Sequence, residues 1–292
     1  NKNIIKNSPQ NYTDTNISEA NNYYDVFVTG SDQVWNLHWY DPNFFLSFVD
    51  SKKKKISYAA SVSMKSFTDE QKNTVANHIR DFHAISVREE DAIGLLENLY
   101  AGKIKQVLDP TMLLDETDWN NICESRLVDE PYIFCYFLGS NTRSRLLAGQ
   151  FAKKKKLKIV TVPFANGDFL SQDLGFGDII VKNLSPETFL SYVKYAEFVF
   201  TDSFHAVVFS HIFKKQFFVF NRSTIRAMST RIESITQLFG TQEYFCNTYD
   251  HENLDYICSL KRIDYTKSYD AFWKARKESM LFLLDCLRED VN

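Results

Sequence analysis

The run EFVFTDSFHAVVFSHIFKKQFFVF, residues 197–220, decides the architecture. FVFT and QFFVF, near its two ends, are short unbroken runs of aromatic and β-branched residues, the pattern of strands buried on both faces. Between them SFHAVVFSHIF is long enough for about three helical turns and is apolar almost all round, so it too is buried. A strand, a covering helix and a second strand of these lengths make a parallel crossover unit. Thr-Asp-Ser and a lone histidine, His205, stand where the first strand passes into the helix.

The same alternation extends in both directions. Toward the N-terminus DVFVTG (25–30), KKISYAAS (54–61), HAISVRE (83–89) and KQVLDP (105–110) read as strands. TDEQKNTVANHIRDF reads as a helix opened by Thr68 with Gln71 three residues on, and DAIGLLENLY and DETDWNNICESR as further helices. PYIFCYFLG, LKIVTVP and DIIV continue the strands, while NTRSRLLAGQFAKKK and SPETFLSYVKYA supply helices, the latter with Ser185 at the cap and Pro186 at the first helical position. From Ser268 onward apolar residues recur at helical spacing. The expected organisation is an N-terminal α/β domain over 1–128, a second Rossmann-like domain over 129–267, and a C-terminal helix, 268–292, packing back on the first.

A chain of 292 residues accommodates two domains, and 44% apolar with 24% charged residues is ordinary globular usage. The net charge of -3 offers no global attraction for nucleic acid or anionic lipid. KKKK occurs at 52–55 and 153–156, each beside a strand-like segment, and both runs read as solvated faces. The five cysteines form no C-x-x-C pair and are odd in number, so neither a disulfide framework nor a zinc site is expected, and a cytoplasmic setting is. No apolar run approaches the ~20 residues of a membrane span, and the polar, Asn-rich start carries no signal-peptide core. That start, without methionine, leads to the expectation of an upstream portion.

In parallel α/β sheets ligands bind where strand carboxyl ends meet helix N-termini. His205 falls in such a first turn, behind Asp202 and Ser203, either of which can cap. Position alone leaves two readings open: an imidazole that binds an anion and moves a proton, or one that merely caps its helix. GSDQVWN (30–36) follows a strand in the other half, with Asp32, Gln33 and Asn36 on a loop that Trp35 can anchor, or as a plain Asx-type turn over a core tryptophan. Arg88 ends another strand, suited to a carboxylate or phosphate, or to a salt bridge with Glu89 or Glu90. Arg222, Arg226 and Arg231 follow QFFVF and favour an anionic ligand. The Gly-rich dinucleotide and P-loop signatures, H-E-x-x-H and G-x-S-x-G are all missing from the sequence.

Taken in order, DVFVTGSDQVWN, KKISYAAS, FHAISVREEDAIGLL, VLDPTMLL with Trp119, and SPETFLSYVKYAEFVFTDSFHAVVFSHIFKKQFFVF resemble the polysaccharide pyruvyl transferase family, over about residues 25–240. The resemblance implies two Rossmann-like domains facing a cleft, GT-B-like, and a transferase that moves the enolpyruvyl-derived group of phosphoenolpyruvate onto a sugar as a cyclic ketal, releasing phosphate. It also implies surface-polysaccharide biosynthesis and a lipid-linked or nucleoside-linked sugar acceptor; no cofactor is expected, and no metal, because the cysteines and histidines lack ligand spacing and cationic side chains can neutralise a phosphate leaving group. The family's donor-binding histidine carries over onto His205. Ser203 stands where several members have arginine, and Ala206 where glycine is common. Nothing here matches the family's opening strand and Asn-Tyr-Gly loop, so the N-terminal domain is expected to be abbreviated or incomplete.

On this reading His205 and Asp32 are the candidate catalytic residues. Ser203, Phe204, His205, Arg88, Arg222 and Arg226 hold the donor, with Arg231 a further candidate, and Ser31, Asp32, Gln33 and Asn36 hold the acceptor. Two alternatives stay open: a GT-B glycosyltransferase using a nucleotide sugar, since fold does not fix function, and a non-catalytic sugar- or anion-binding relative.

Overall fold

The computed structural model describes residues 7–163, 169–222, 229–248 and 250–288. Two compact units emerge, the first drawn from Asn1–Val107 and Leu281–Asn292, the second from Leu108–Met280. Each is built on a parallel sheet.

The first unit carries β1 (Val26–Thr29), β2 (Lys54–Ala60), β3 (Ala84–Val87) and β4 (Ile104–Gln106), side by side in that order. All three pairings are parallel. Helix α1 (Asp69–Ile79) crosses from β2 to β3 and opens on the expected capping box: Thr68 accepts from the Gln71 amide, and the Gln71 side chain accepts from the Thr68 amide. The short α2 (Asp91–Leu96) crosses from β3 to β4. Trp35 is 1% exposed, stacks on Phe45 at 5.4 Å and donates from Nε1 to the Phe44 carbonyl at 3.1 Å, so it anchors the loop after β1. The lysine run at 52–55 departs from expectation at its last member. Lys55 enters β2 buried, and its Nζ reaches Asp81 at 2.5 Å, the pairing that lets a charge leave water.

Between β2 and β3 the register shifts between Ser57 and Ala60. Two buried hydroxyls fill the gap: Ser57 Oγ donates to the Ser86 carbonyl at 2.7 Å, and Ser86 Oγ to the Ser57 carbonyl at 2.9 Å. Buried backbone groups that lose ladder partners must find others, and here serine supplies them.

The second unit opens with a short helix, α3 (Glu116–Asn120), then β5 (Tyr132–Tyr136), α4 (Thr142–Lys155), β6 (Lys158–Thr161), β7 (Ile179–Ile180), α5 (Pro186–Tyr195), β8 (Phe198–Thr201), α6 (Phe204–Ile212) and β9 (Gln216–Phe220). After these come α7 (Ser229–Phe239), β10 (Phe245–Cys246), α8 (Leu254–Ser259) and α9 (Tyr269–Leu287), whose residues are shared between the two units. The six strands lie in the order β10-β9-β8-β5-β6-β7, all parallel. Phe151 of α4 packs against Phe198, Phe200 and Phe218 of β8 and β9, a ring cluster at the heart of the larger core. Each such side chain, once buried, contributes about 1.5–3 kcal/mol. Among the described residues no helix is long and apolar enough to cross a membrane.

Candidate functional site

The strand order of the second sheet places β5 between β6 on one side and β8 on the other. The chain therefore leaves β5 and β8 in opposite senses, a topological switch point of the kind at which open α/β sheets offer a ligand crevice beyond the strands' carboxyl ends. The loops there are FLGSN, 137–141, and TDS, 201–203.

Asp202 ties the two together. Its Oδ1 accepts from the Leu138 amide at 2.7 Å and its Oδ2 from the Gly139 amide at 2.8 Å, while Arg222, arriving from the end of β9, lies 3.7 Å away and donates to the Asp202 carbonyl. Burial pushes the Asp202 carboxyl above the usual range, against the pull of Arg222 and the two amides. Gly139 has no alternative here: a Cβ would sit 2.9 Å from Asp202 Oδ2 and 3.0 Å from Arg222 Cβ. Thr201, fully buried, donates its hydroxyl to the Tyr136 carbonyl at 2.6 Å and accepts from the Ser203 amide. On the other rim Asn141 caps α4, accepting from the Arg143 and Ser144 amides, and donates to the Asn221 carbonyl at 3.1 Å. Behind it Arg145 and Asp173 form a buried pair at 2.7 Å, the guanidinium also donating to the Gly139 and Asn141 carbonyls.

With Asp202 committed to the neighbouring loop, Ser203 takes the cap position of α6. Its side chain makes no cap bond, so the first-turn amides of α6 are not closed off from the crevice by that hydroxyl. From Phe204 to Ile212 every residue of this helix is buried except His205, whose side chain is 37% exposed. Its Nε2 lies 3.7 Å from Oδ2 of Asp109, a carboxylate 1% exposed. Asp109 stands at the end of VLDP, where its Oδ1 accepts from the Thr111 amide and hydroxyl. Sequence reading passed it over, because an Asp before Pro announces only a capped turn.

In the first unit the loop after β1 lies against β2, with an isolated parallel bridge between Asp32 and Ala60. Gly30 takes φ +109°, and a Cβ there would stand 2.1 Å from the Tyr58 carbonyl oxygen. Arg88 comes up from β3 with its side chain 3% exposed, donating from Nη2 to Ser31 Oγ at 2.8 Å and to Asp32 Oδ1 at 3.4 Å. Ser31 and Asp32 are thus brought together over a buried guanidinium, with the Asp32 side chain 60% exposed. Gln33 and Asn36 bond to each other, and Asn36, buried, accepts from the His38 amide. Glu89 was also missed as a positioning group. Its buried Oε1 accepts from the Ser61 hydroxyl and from the Val62 and Ser63 amides, fixing the loop after β2.

Of the arginines after β9, Arg222 reaches the crevice as described and Arg231 is buried at the start of α7. Arg226 lies outside the described residues. Ser203 and Phe204 are buried, and the Phe204 ring meets the His205 ring edge-on at 5.4 Å.

A family model described as polysaccharide pyruvyl transferase matches residues 1–224. No curated protein gives a significant sequence match. Among solved structures the chain is similar to UDP-GlcNAc 2-epimerase from Neisseria meningitidis bound to UDP-GlcNAc, with TM-score 0.52, 13% identity, and 93% of this chain and 80% of that one covered. The MnaA protein of S. aureus in its UDP co-structure gives TM-score 0.52 at 11% identity, covering 96% and 84%. A glycosyltransferase from Rickettsia africae gives 0.51 at 11% identity, covering 94% and 81%. At these identities the likeness is one of fold, and the fold is GT-B-like.

Proposed function

The chain belongs to the polysaccharide pyruvyl transferase family, and we propose that it transfers the pyruvyl unit of phosphoenolpyruvate to a sugar as a cyclic ketal. Protonation of the methylene carbon makes C2 electrophilic, and a sugar hydroxyl adds there. A second hydroxyl of the same sugar then replaces phosphate on that carbon. Of the two hydroxyl protons released, one is matched by the proton taken up at the methylene and the other leaves with phosphate.

The observation that carries this reading is His205, half-exposed in the first turn of an otherwise buried helix at the switch point of the second sheet. There the imidazole and the first-turn amides of α6 suit a phosphate, which needs donors already in place. Ser203 and Phe204 contribute backbone, and Arg222, with its side chain 21% exposed beside Asp202, supplies the guanidinium that Ser203 lacks. We assign the acceptor to Ser31 and Asp32 of the first unit, with Arg88 as the brace beneath them and Gln33 and Asn36 shaping the loop. A lipid-linked or nucleoside-linked sugar remains the proposed acceptor, and a cytoplasmic setting accords with five cysteines that are all free thiols.

The test is His205→Ala, followed by calorimetric binding of phosphoenolpyruvate and by phosphate release with a panel of such acceptors. Binding is expected to weaken at least tenfold and turnover to drop by ~10²–10³, with the melting temperature nearly unchanged. A variant that melts several degrees lower yet binds phosphoenolpyruvate normally would overturn the assignment. Turnover by the wild type with a nucleotide sugar in place of phosphoenolpyruvate would favour a glycosyltransferase instead.

A further inference from the structure

We infer that Asp109 is the positioning residue of His205, turning one ring nitrogen inward and leaving the other to serve the ligand. The inference rests on the donor-site reading of His205 and adds a partner to it.

The geometry begins with the carboxylate. Asp109 follows β4, and its Oδ1 is held by the Thr111 amide at 3.1 Å and hydroxyl at 2.7 Å, which fixes the plane of the group. The second oxygen, Oδ2, lies 3.7 Å from Nε2 of His205. That is an ion-pair distance, and it closes to a hydrogen bond with a small ring movement. Asp109 is 1% exposed, so a charge on it is weakly screened and favours a proton on the imidazole nitrogen beside it. Nδ1 is then the nitrogen available to an anion at the crevice. A histidine oriented by a buried carboxylate is a recurring arrangement where a ring must hold one tautomer and accept positive charge on demand.

Other charged groups stand on the elements packed around α6. Glu187 and Lys194 lie on α5, Arg231 and Glu233 on α7, and the Asp202–Arg222 pair at the ends of β8 and β9. Among the described ion pairs His205 takes part in one, that with Asp109.

Asp109→Asn preserves shape and the oxygen that Thr111 needs while removing the charge. Inorganic phosphate is the probe, since it needs no acceptor. At pH 7 the variant is expected to bind it about tenfold more weakly than wild type, and ¹⁵N shifts should show that its neutral His205 ring no longer holds the proton on Nε2. Equal binding by both proteins would overturn the inference, as would weaker binding by a variant whose neutral ring keeps its proton on Nε2. If Asp109→Asn does not fold, ¹⁵N shifts of the His205 ring in the wild type decide: a proton on Nε2 in the neutral ring supports the pairing, and a proton on Nδ1 overturns it. The two readings fail separately. Phosphoenolpyruvate binding that depends on His205 but not on Asp109 removes only the present inference, whereas an Nε2-protonated His205 in a wild type that binds neither phosphate nor phosphoenolpyruvate removes the donor-site reading.

Discussion

His205 and His211 share one helix and meet opposite surroundings. His211 is buried, its ring stacked on Phe239 at 3.6 Å and 6°, with Tyr265 at its edge and its Nδ1 without a hydrogen-bond partner. Burial, with Lys214 adding to it, pushes the imidazole down to about 3. In the unfolded chain the same ring titrates near ~6.5. Between those values the unfolded chain binds a proton that the native chain refuses, so the contribution of His211 to stability is complete above about pH 6.5 and is lost as pH falls. At about 1.4 kcal/mol per pH unit, moving from pH 7 to pH 5 should cost the native state ~2 kcal/mol at this residue alone. His211→Phe keeps the stack and has nothing to protonate. Its melting temperature should therefore fall less than that of wild type over the same interval. Parallel declines in the two proteins would mean that the ring titrates normally.

Helices and strands show how far local sequence reaches. Continuous apolar runs located the long strands, and the capping signals at Thr68 and Ser185 fixed two helix starts as expected, because the groups that make a cap lie within one turn of each other. α3 closes after Asn120, well short of the DETDWNNICESR segment read as its extent. Directly past Trp119 come Asn, Asn, Ile and Cys, four modest helix formers in a row ahead of Glu124 and Arg126. β7 and β10, two residues each, exist only through their neighbours in the sheet. The crevice was legible at His205, where a strand-to-helix junction is visible in the chain itself. Its other parts, the Asp202 clasp on FLGSN and the Asp109 carboxylate, come from segments distant in sequence and leave no periodic signal. Asn141 joins both kinds of information, since it caps α4 and also crosses to Asn221. Asn141→Ala should cost about 1 kcal/mol for the cap and about another 1 for the crossing bond, against about 1 in total for Thr68→Ala at its exposed helix. Urea midpoints of the two variants check this. A smaller loss at Asn141 than at Thr68 would mean that the bond to Asn221 contributes nothing.

Across the whole molecule, every strand pairing among the described residues is parallel. No two neighbouring strands are joined by a tight hairpin, so no sheet contact forms cheaply between residues close in the chain. The central pair of the larger sheet, β5 with β8, closes a chain loop that holds α4, β6, β7 and α5. Loop-closure entropy then precedes the contacts that repay it, and folding is slow and exposed to competing association. Diluted from urea, the protein should regain its native signal over seconds or longer, through more than one phase. Recovered yield should fall as protein concentration rises into the micromolar range. A single millisecond phase with concentration-independent recovery would contradict that expectation. For a sheet of this topology, the time the chain spends incomplete is set by the order in which its strands are laid down.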